Sequence, residues 1–186
     1  ISGDGKKYIA IIHADGNSLG KIIIKLQDHL KDKSVDEAAT IFTGLSRAIE
    51  EATEMSAQEA YQKVLLPDYN AQKTGNKVMA ARPIVIGGDD LTIIIRADLA
   101  FEFTKIFLET FEKASKNSID NNLNSFKIKE LPEKLTSCAG IAFVKDGYPF
   151  SRAYELAESL CRHTKDIAKA SEKQDKGFVP SGFTFY

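Results

Sequence analysis

Short unbroken apolar runs alternate along the chain with longer stretches in which apolar residues recur every three or four positions. Tyr8 to Ala14 (YIAIIHA) is β-branched and apolar, too short for a helix, and stops at Asp15-Gly16-Asn17, which predicts a buried strand running into a turn. Leu19, Ile22, Ile23, Leu26 and Leu30 then recur at helical spacing and predict a first helix, with Gly20 in its first turn, where close packing or a backbone approach would use it. Ser34-Val35-Asp36-Glu37 has the capping-box pattern and opens a second helix striped by Ala38, Ile41, Phe42, Leu45, Ala48, Ile49 and Ala52. From Ser56 the periodicity weakens. A short helix around Glu59 to Leu65 is followed by the turn-rich Pro67-Asp68-Tyr69-Asn70 and Lys73-Thr74-Gly75-Asn76, so residues 56–81 are expected to be a long, mobile connecting insertion.

Pro83-Ile84-Val85-Ile86, Gly87-Gly88-Asp89-Asp90 and Leu91-Thr92-Ile93-Ile94-Ile95 predict two antiparallel strands joined by a tight glycine hairpin that carries two acids. Asp98 is placed to cap a third helix with the stripe Leu99, Phe103, Ile106, Phe107 and Phe111. Thr136 to Val144 predicts a fourth strand, Ala153 to Ala168 a long final helix, and Gly182 to Tyr186 a closing edge strand. Strand–helix–strand units flanking a central hairpin define an α+β, ferredoxin-like βαββαβ order, an antiparallel sheet with helices on one face. In that order the first and third strands are neighbours. Asp15, at the end of one, therefore meets Asp89-Asp90, at the start of the other.

Composition narrows the function classes. The 186 residues are 43% hydrophobic and 27% charged, which is ordinary for a globular domain, and 25 basic against 26 acidic residues leave a net charge of -1. No global positive field is present to hold nucleic acid, so RNA contact is expected through partners. No apolar run approaches the roughly 18 residues that span a bilayer, so no membrane association is expected. Cys138 and Cys161 form no CxxC pair and read as buried, reduced thiols of a cytoplasmic protein. The chain opens Ile1-Ser2-Gly3-Asp4-Gly5, which is expected of one domain (residues 1–186) cut from a longer polypeptide.

Three converging carboxylates are costly, because two like charges about 4 Å apart repel by roughly 4 kcal/mol at the effective dielectric of a protein surface. A hard divalent cation, Mg²⁺ or Mn²⁺, relieves this and keeps positions open for substrate phosphates. Two such ions about 3.5–4 Å apart support in-line phosphoryl transfer of the polymerase type. Zinc is not expected, since His13, His29 and His163 have no zinc-ligand spacing. The turn Gly16-Asn17-Ser18 leads into a helix N-terminus that favours phosphate, and Asn17 and Ser18 either contact ribose or phosphate or simply cap the helix. Lys165 is either a solvated surface lysine or one that reaches a triphosphate. A P-loop is excluded because one residue is missing before Gly20-Lys21 and Ile22 replaces the hydroxyl, and a calcium loop because Leu19 and Leu26 fall at ligand positions.

The ordered set Ile11-Ile12-His13-Ala14-Asp15-Gly16-Asn17-Ser18-Leu19-Gly20, Arg82-Pro83-Ile84-Val85-Ile86-Gly87-Gly88-Asp89-Asp90-Leu91-Thr92, Ser137-Cys138-Ala139-Gly140-Ile141-Ala142 and Tyr148 to Ala157 with Lys165 resembles the palm (cyclase) domain of the large subunit of type III CRISPR effector complexes. That domain is similar to GGDEF nucleotide cyclases and polymerase palms. The resemblance implies an enzyme that joins ATP into cyclic oligoadenylate messengers with release of pyrophosphate. It implies two Mg²⁺ (or Mn²⁺) ions held by Asp15, Asp89 and Asp90, and a nucleotide bound against Gly16, Asn17, Ser18, Gly87, Gly88 and Lys165. Gly87-Gly88-Asp89-Asp90-Leu91 is not GGDEF, and no RxxD pattern lies in Met79 to Arg82, so cyclic di-GMP synthesis is the lesser alternative. An idle palm that binds ATP and metal as a scaffold is the other. The implied partners are ATP and either a second copy of the chain or other domains and subunits of an effector complex.

Overall fold

A computed structural model describes residues 8–73, 75, 77–126, 128, 131–172 and 179–186. The opening residues 1–5 and positions 74 and 76 of the expected turn lie outside the described residues. A five-stranded sheet has the order β2-β3-β1-β4-β5, built from β1 (Tyr8–Gly16), β2 (Ala81–Gly87), β3 (Asp90–Arg96), β4 (Ser137–Lys145) and β5 (Gly182–Phe185). β1 runs antiparallel to both of its neighbours, β3 and β4, and β5 adds in parallel at the edge beside β4. The helices are α1 (Leu19–His29), α2 (Val35–Ala60), α3 (Leu66–Ala71), α4 (Ala100–Leu123) and α5 (Phe150–Glu172). None of the described helices is long and apolar enough to cross a membrane.

The alternation of β1 sorts its side chains between two cores. Ala10, Ile12 and Ala14 point to the face where Leu91, Ile93 and Ile95 of β3 and Ile141 of β4 pack under Phe103 and Phe107 of α4 and against Ala60 of α2. Burying each large side chain there contributes about 1.5–3 kcal/mol. A second cluster beyond the sheet joins Ile22 and Leu26 of α1, Ile41 and Leu45 of α2 and Phe111 of α4. Ile11 turns to the opposite face and meets Ala142, Val144, Ala153 and Ala157, so α5 covers that side.

The βαββαβ order is present, with α2 and α4 on one face as expected. The expectation that all helices share that face is corrected by α5. The reason lies in β4, which shows Gly140 and Ala142 to that side and leaves room for a helix directly on the strand. A Cβ on Gly140 would stand 2.0 Å from the Ala157 carbonyl and 2.5 Å from the Cys161 amide.

Three further expectations are corrected. Residues 56–71 are helical: α2 passes through a π turn at Tyr61–Leu65 into α3, and only 72–80 are irregular among the described residues. The turn signal at Pro67 misleads because the π turn, closed by the Leu66 N–H to the Tyr61 carbonyl, opens the ladder just before the proline that cannot donate to it. Asp98 does not cap α4; it receives Arg96, which also makes a two-pronged pair with Asp68, at the end of β3 remote from Asp90. Gly20 has nothing within 4 Å of a built Cβ, so packing within the chain does not demand glycine there.

Candidate metal and nucleotide site

The register of β1 against β3 assembles the site. Ala14 pairs with Leu91 and His13 with Thr92, so Asp15 comes beside Asp90 at the end of the ladder. Side chains two apart share a face, which places His13 and Asp15 of β1 with Thr92 and Asp90 of β3 on the side covered by α5. The two-residue turn Gly88-Asp89 closes the β2–β3 hairpin, with Gly88 at φ +57°, a conformation that costs other residues steric strain. Thr53 of α2 donates to the Gly88 carbonyl at 2.7 Å and so pins the turn from the opposite layer. Gly16 sits directly under Asp89: a Cβ there would meet the Asp89 Cβ and Oδ2, each at 3.0 Å.

The three carboxylates meet as expected. Burial, then a hydrogen bond with the Asp15 carboxyl and the Asp15 charge, push the Asp89 carboxyl up to about 6. Burial and then the charge of Asp15 raise Asp90, against the pull of His13 and Lys165. The Lys165 ammonium, reaching from α5, stands 2.5 Å from Asp15 Oδ2 and donates to the Gly16 carbonyl at 2.8 Å. It therefore lies against the carboxylate cluster and is not a solvated surface lysine. One ligand atom from each of His13, Asp15 and Asp90 lies within 4.8 Å of the others.

The turn after Asp15 is arranged for support. Asn17 is buried, and its amide donates to the Thr136 hydroxyl at 3.0 Å and to the Pro180 carbonyl at 3.3 Å, tying the end of β1 to the segments flanking β4 and β5. Ser18 precedes α1 at φ 60° and makes no side-chain cap bond. Asn17 Oδ1 and Ser18 Oγ are buried without a partner. Gly87 and Gly88 border open space. Cys161 lies beneath, its thiol pushed up to about 12 by burial and donating to the Cys138 carbonyl at 3.2 Å, which fits an inert thiol.

His13, Thr92 and Tyr154 were missed by the sequence reading. His13 Nδ1 lies 3.1 Å from the Thr92 hydroxyl, and the Tyr154 ring meets the imidazole edge-on at 5.5 Å. The signal was available in the period of two, since His13 precedes Asp15 by one repeat and Thr92 follows Asp90 by one.

A four-strand antiparallel core of this order, with acids at the β1 end and on the β2–β3 hairpin, defines a palm domain. The Cas10/Cmr2 second palm domain model matches residues 8–177, and the chain belongs to that family, a palm of the large subunit of type III CRISPR effector complexes. Among solved structures it is similar to the Csm1-Csm4 cassette in complex with cA4 (15% identity, TM-score 0.57, covering 86% of this chain and 20% of that one). It is similar also to the apo cassette (16%, 0.55, 86% and 19%) and to the cassette in complex with AMPPNP (16%, 0.54, 86% and 20%). The chain thus spans about a fifth of the length of those chains. No curated protein matches it at a significant level.

Proposed function

We propose that this chain is a catalytic palm that joins ATP 3′ to 5′ and closes the product into cyclic oligoadenylates, releasing pyrophosphate at each step. The observation that carries the reading is the meeting of Asp15, Asp89 and Asp90, with two of the carboxyls held above their usual range and a lysine pressed against the third. Such a cluster calls for cationic charge. Its donors, carboxylate oxygens with the Gly16 carbonyl alongside, fit hard divalent ions. Asp15 hydrogen-bonds with Asp89 on one side and clusters with Asp90 on the other, so it is the carboxylate that two ions would share. When bound, Mg²⁺ or Mn²⁺ would neutralise charge and ease deprotonation of the attacking 3′-hydroxyl.

The protein's own groups supply the rest. The three aspartates hold the charge that ions need, and the Gly88 turn keeps Asp89 facing β1. The first N–H groups of α1, behind Gly16 and Ser18, favour a phosphate. Lys165, whose ammonium lies on Asp15 and the Gly16 carbonyl, would be free to exchange that carboxylate for a substrate phosphate with cations bound to the aspartates. The choice of ATP is supported by the adenine nucleotides in the related Csm1-Csm4 complexes with AMPPNP and cA4. Joining two nucleotides needs a second nucleotide site, so the working partner is another palm, from a second copy or from further domains of an effector complex, inside the cell.

The test is incubation of the purified protein with each of the four NTPs and Mg²⁺ or Mn²⁺, with mass analysis of products. Cyclic adenylates from ATP alone are expected. Cyclic di-GMP from GTP would instead establish a diguanylate cyclase; metal-dependent ATP binding that is lost in the Asp89/Asp90 variant, without product, would point to a site that needs its partner palm, and absence of product even with that partner would establish a scaffold palm.

The exchange role of Lys165 has its own signature. Lys165→Met is expected to raise Mn²⁺ affinity several-fold in the absence of nucleotide, because a competing ammonium is gone, and to weaken binding of a non-hydrolysable ATP analogue about tenfold, the loss of one charge-assisted hydrogen bond. Calorimetric titration reads both. Unchanged analogue affinity would remove Lys165 from the phosphate site.

A further inference from the structure

We infer that His13 is a metal ligand, so that with Asp15 and Asp90 it makes one of the two ion positions a mixed nitrogen–oxygen site that prefers a first-row transition ion, Mn²⁺ or Co²⁺, to Mg²⁺. The inference rests on the metal-dependent reading above and names the ion that one half of the site selects.

Four observations carry it. Ligand atoms of His13, Asp15 and Asp90 lie within 4.8 Å of one another, a span that one ion can bridge. The imidazole is buried at the end of the strand ladder, 8% exposed, where a histidine serving only the core would have no call to face two carboxylates. Its Nδ1 is engaged by the buried Thr92 hydroxyl at 3.1 Å, which fixes the ring, so Nε2 is the nitrogen that an ion would take. Tyr154 packs edge-on against the ring at 5.5 Å and stacks in turn on Phe150, so α5 holds the imidazole from above. A hydroxyl on the far ring nitrogen and an aromatic wall are the outer supports that orient a ligating histidine.

The chemical consequence follows from ligand type. Mg²⁺ takes oxygen ligands in strict octahedral geometry and gains little from imidazole, whereas the later first-row ions bind nitrogen with affinity rising along the series from Mn²⁺ through Co²⁺. Exchanging one oxygen donor for imidazole therefore tilts selection without changing the charge that the carboxylates supply. Asp89, outside the His13 cluster, would serve the other, all-oxygen position together with Asp15.

The probe is Mn²⁺ alone, added to the purified full chain without nucleotide and read by pulsed EPR, with the protein either unlabelled or carrying ¹⁵N-histidine. Nitrogen coupling that changes with the label and disappears in His13→Gln is expected. Competition titrations should show Co²⁺ affinity falling roughly 10- to 100-fold in His13→Gln and about tenfold in Thr92→Val, which keeps the imidazole but removes its orienting hydroxyl, while Mg²⁺ affinity changes less than about threefold. The labelled wild-type spectrum needs no variant to fold.

Mn²⁺ held in an Asp90-dependent site with no histidine nitrogen coupling would overturn the role of His13 and leave the cyclase reading standing. Nitrogen coupling in a protein that makes no cyclic product with any partner would do the reverse. Failure to bind Mn²⁺ at all would overturn both.

Discussion

Asp89→Asn combined with Asp90→Asn is expected to abolish cyclic product, by at least about 10³-fold, the scale of several kcal/mol that bound metal ions contribute to a charged transition state. The same change is expected to make the metal-free protein more stable at neutral pH. Asp89 titrates near 6 in the folded chain against 3.8 for the ordinary carboxyl. A raised carboxyl means that between those values the folded state keeps a proton that the unfolded chain has released. Stability of the metal-free protein therefore falls as pH rises from about 4 through 6, and the penalty is complete above it. A shift of this size is nominally about 3 kcal/mol, which partial exposure and screening reduce to about 1 kcal/mol, or roughly 2–4 °C in Tm. Thermal melts of both proteins at pH 5 and pH 7.5 in chelator, then with Mn²⁺, read this directly. The wild type should gain on acidification and gain again with metal, and the asparagine variant should do neither. Pyrophosphate release by the double variant would show that these acids are not the catalytic ones.

Gly140→Ala is expected to cost at least about 3 kcal/mol, because its methyl would enter backbone atoms of α5 that cannot rotate away. The built Cβ stands 2.0 Å from the Ala157 carbonyl, 2.5 Å from the Cys161 amide and 2.8 Å from the Leu160 Cβ. The strand and helix must separate. Tyr154 and Lys165 ride on that helix, so its displacement would also take the edge-on ring from His13 and the ammonium from Asp15. Gly87→Ala is the stability control: nothing lies within 4 Å of its Cβ position, and its melting temperature should match the wild type. A Gly140→Ala protein melting like the wild type would mean that α5 does not lie on β4 in this way.

Much of this was legible in the linear pattern. The apolar runs that became β1, β3 and β4 are short, β-branched and bounded by turn residues, and such runs have few alternatives. The hairpin followed from Gly87-Gly88 between two of them, and with the βαββαβ order came the meeting of Asp15 with Asp89 and Asp90. What misled were local signals that tertiary structure overrides. Pro67 reads as a helix stop, yet a π turn lets the helix run on to Ala71. Asp98 reads as a helix cap, yet a nearby guanidinium outbids the helix N-terminus for its carboxylate.

By itself the sequence determined the strand order, the acids at the adjoining strand ends and the class of chemistry they suit, because period-two patterning and turn residues act over a few positions of chain. Only the tertiary structure decided which side of the sheet α5 covers, that Lys165 lies against Asp15, and that His13 and Thr92 join the carboxylates. Those three facts depend on side chains meeting across as many as 150 residues of chain, from Asp15 to Lys165, and such meetings are set by the packing of whole elements, here a helix that can sit on β4 because Gly140 has no side chain.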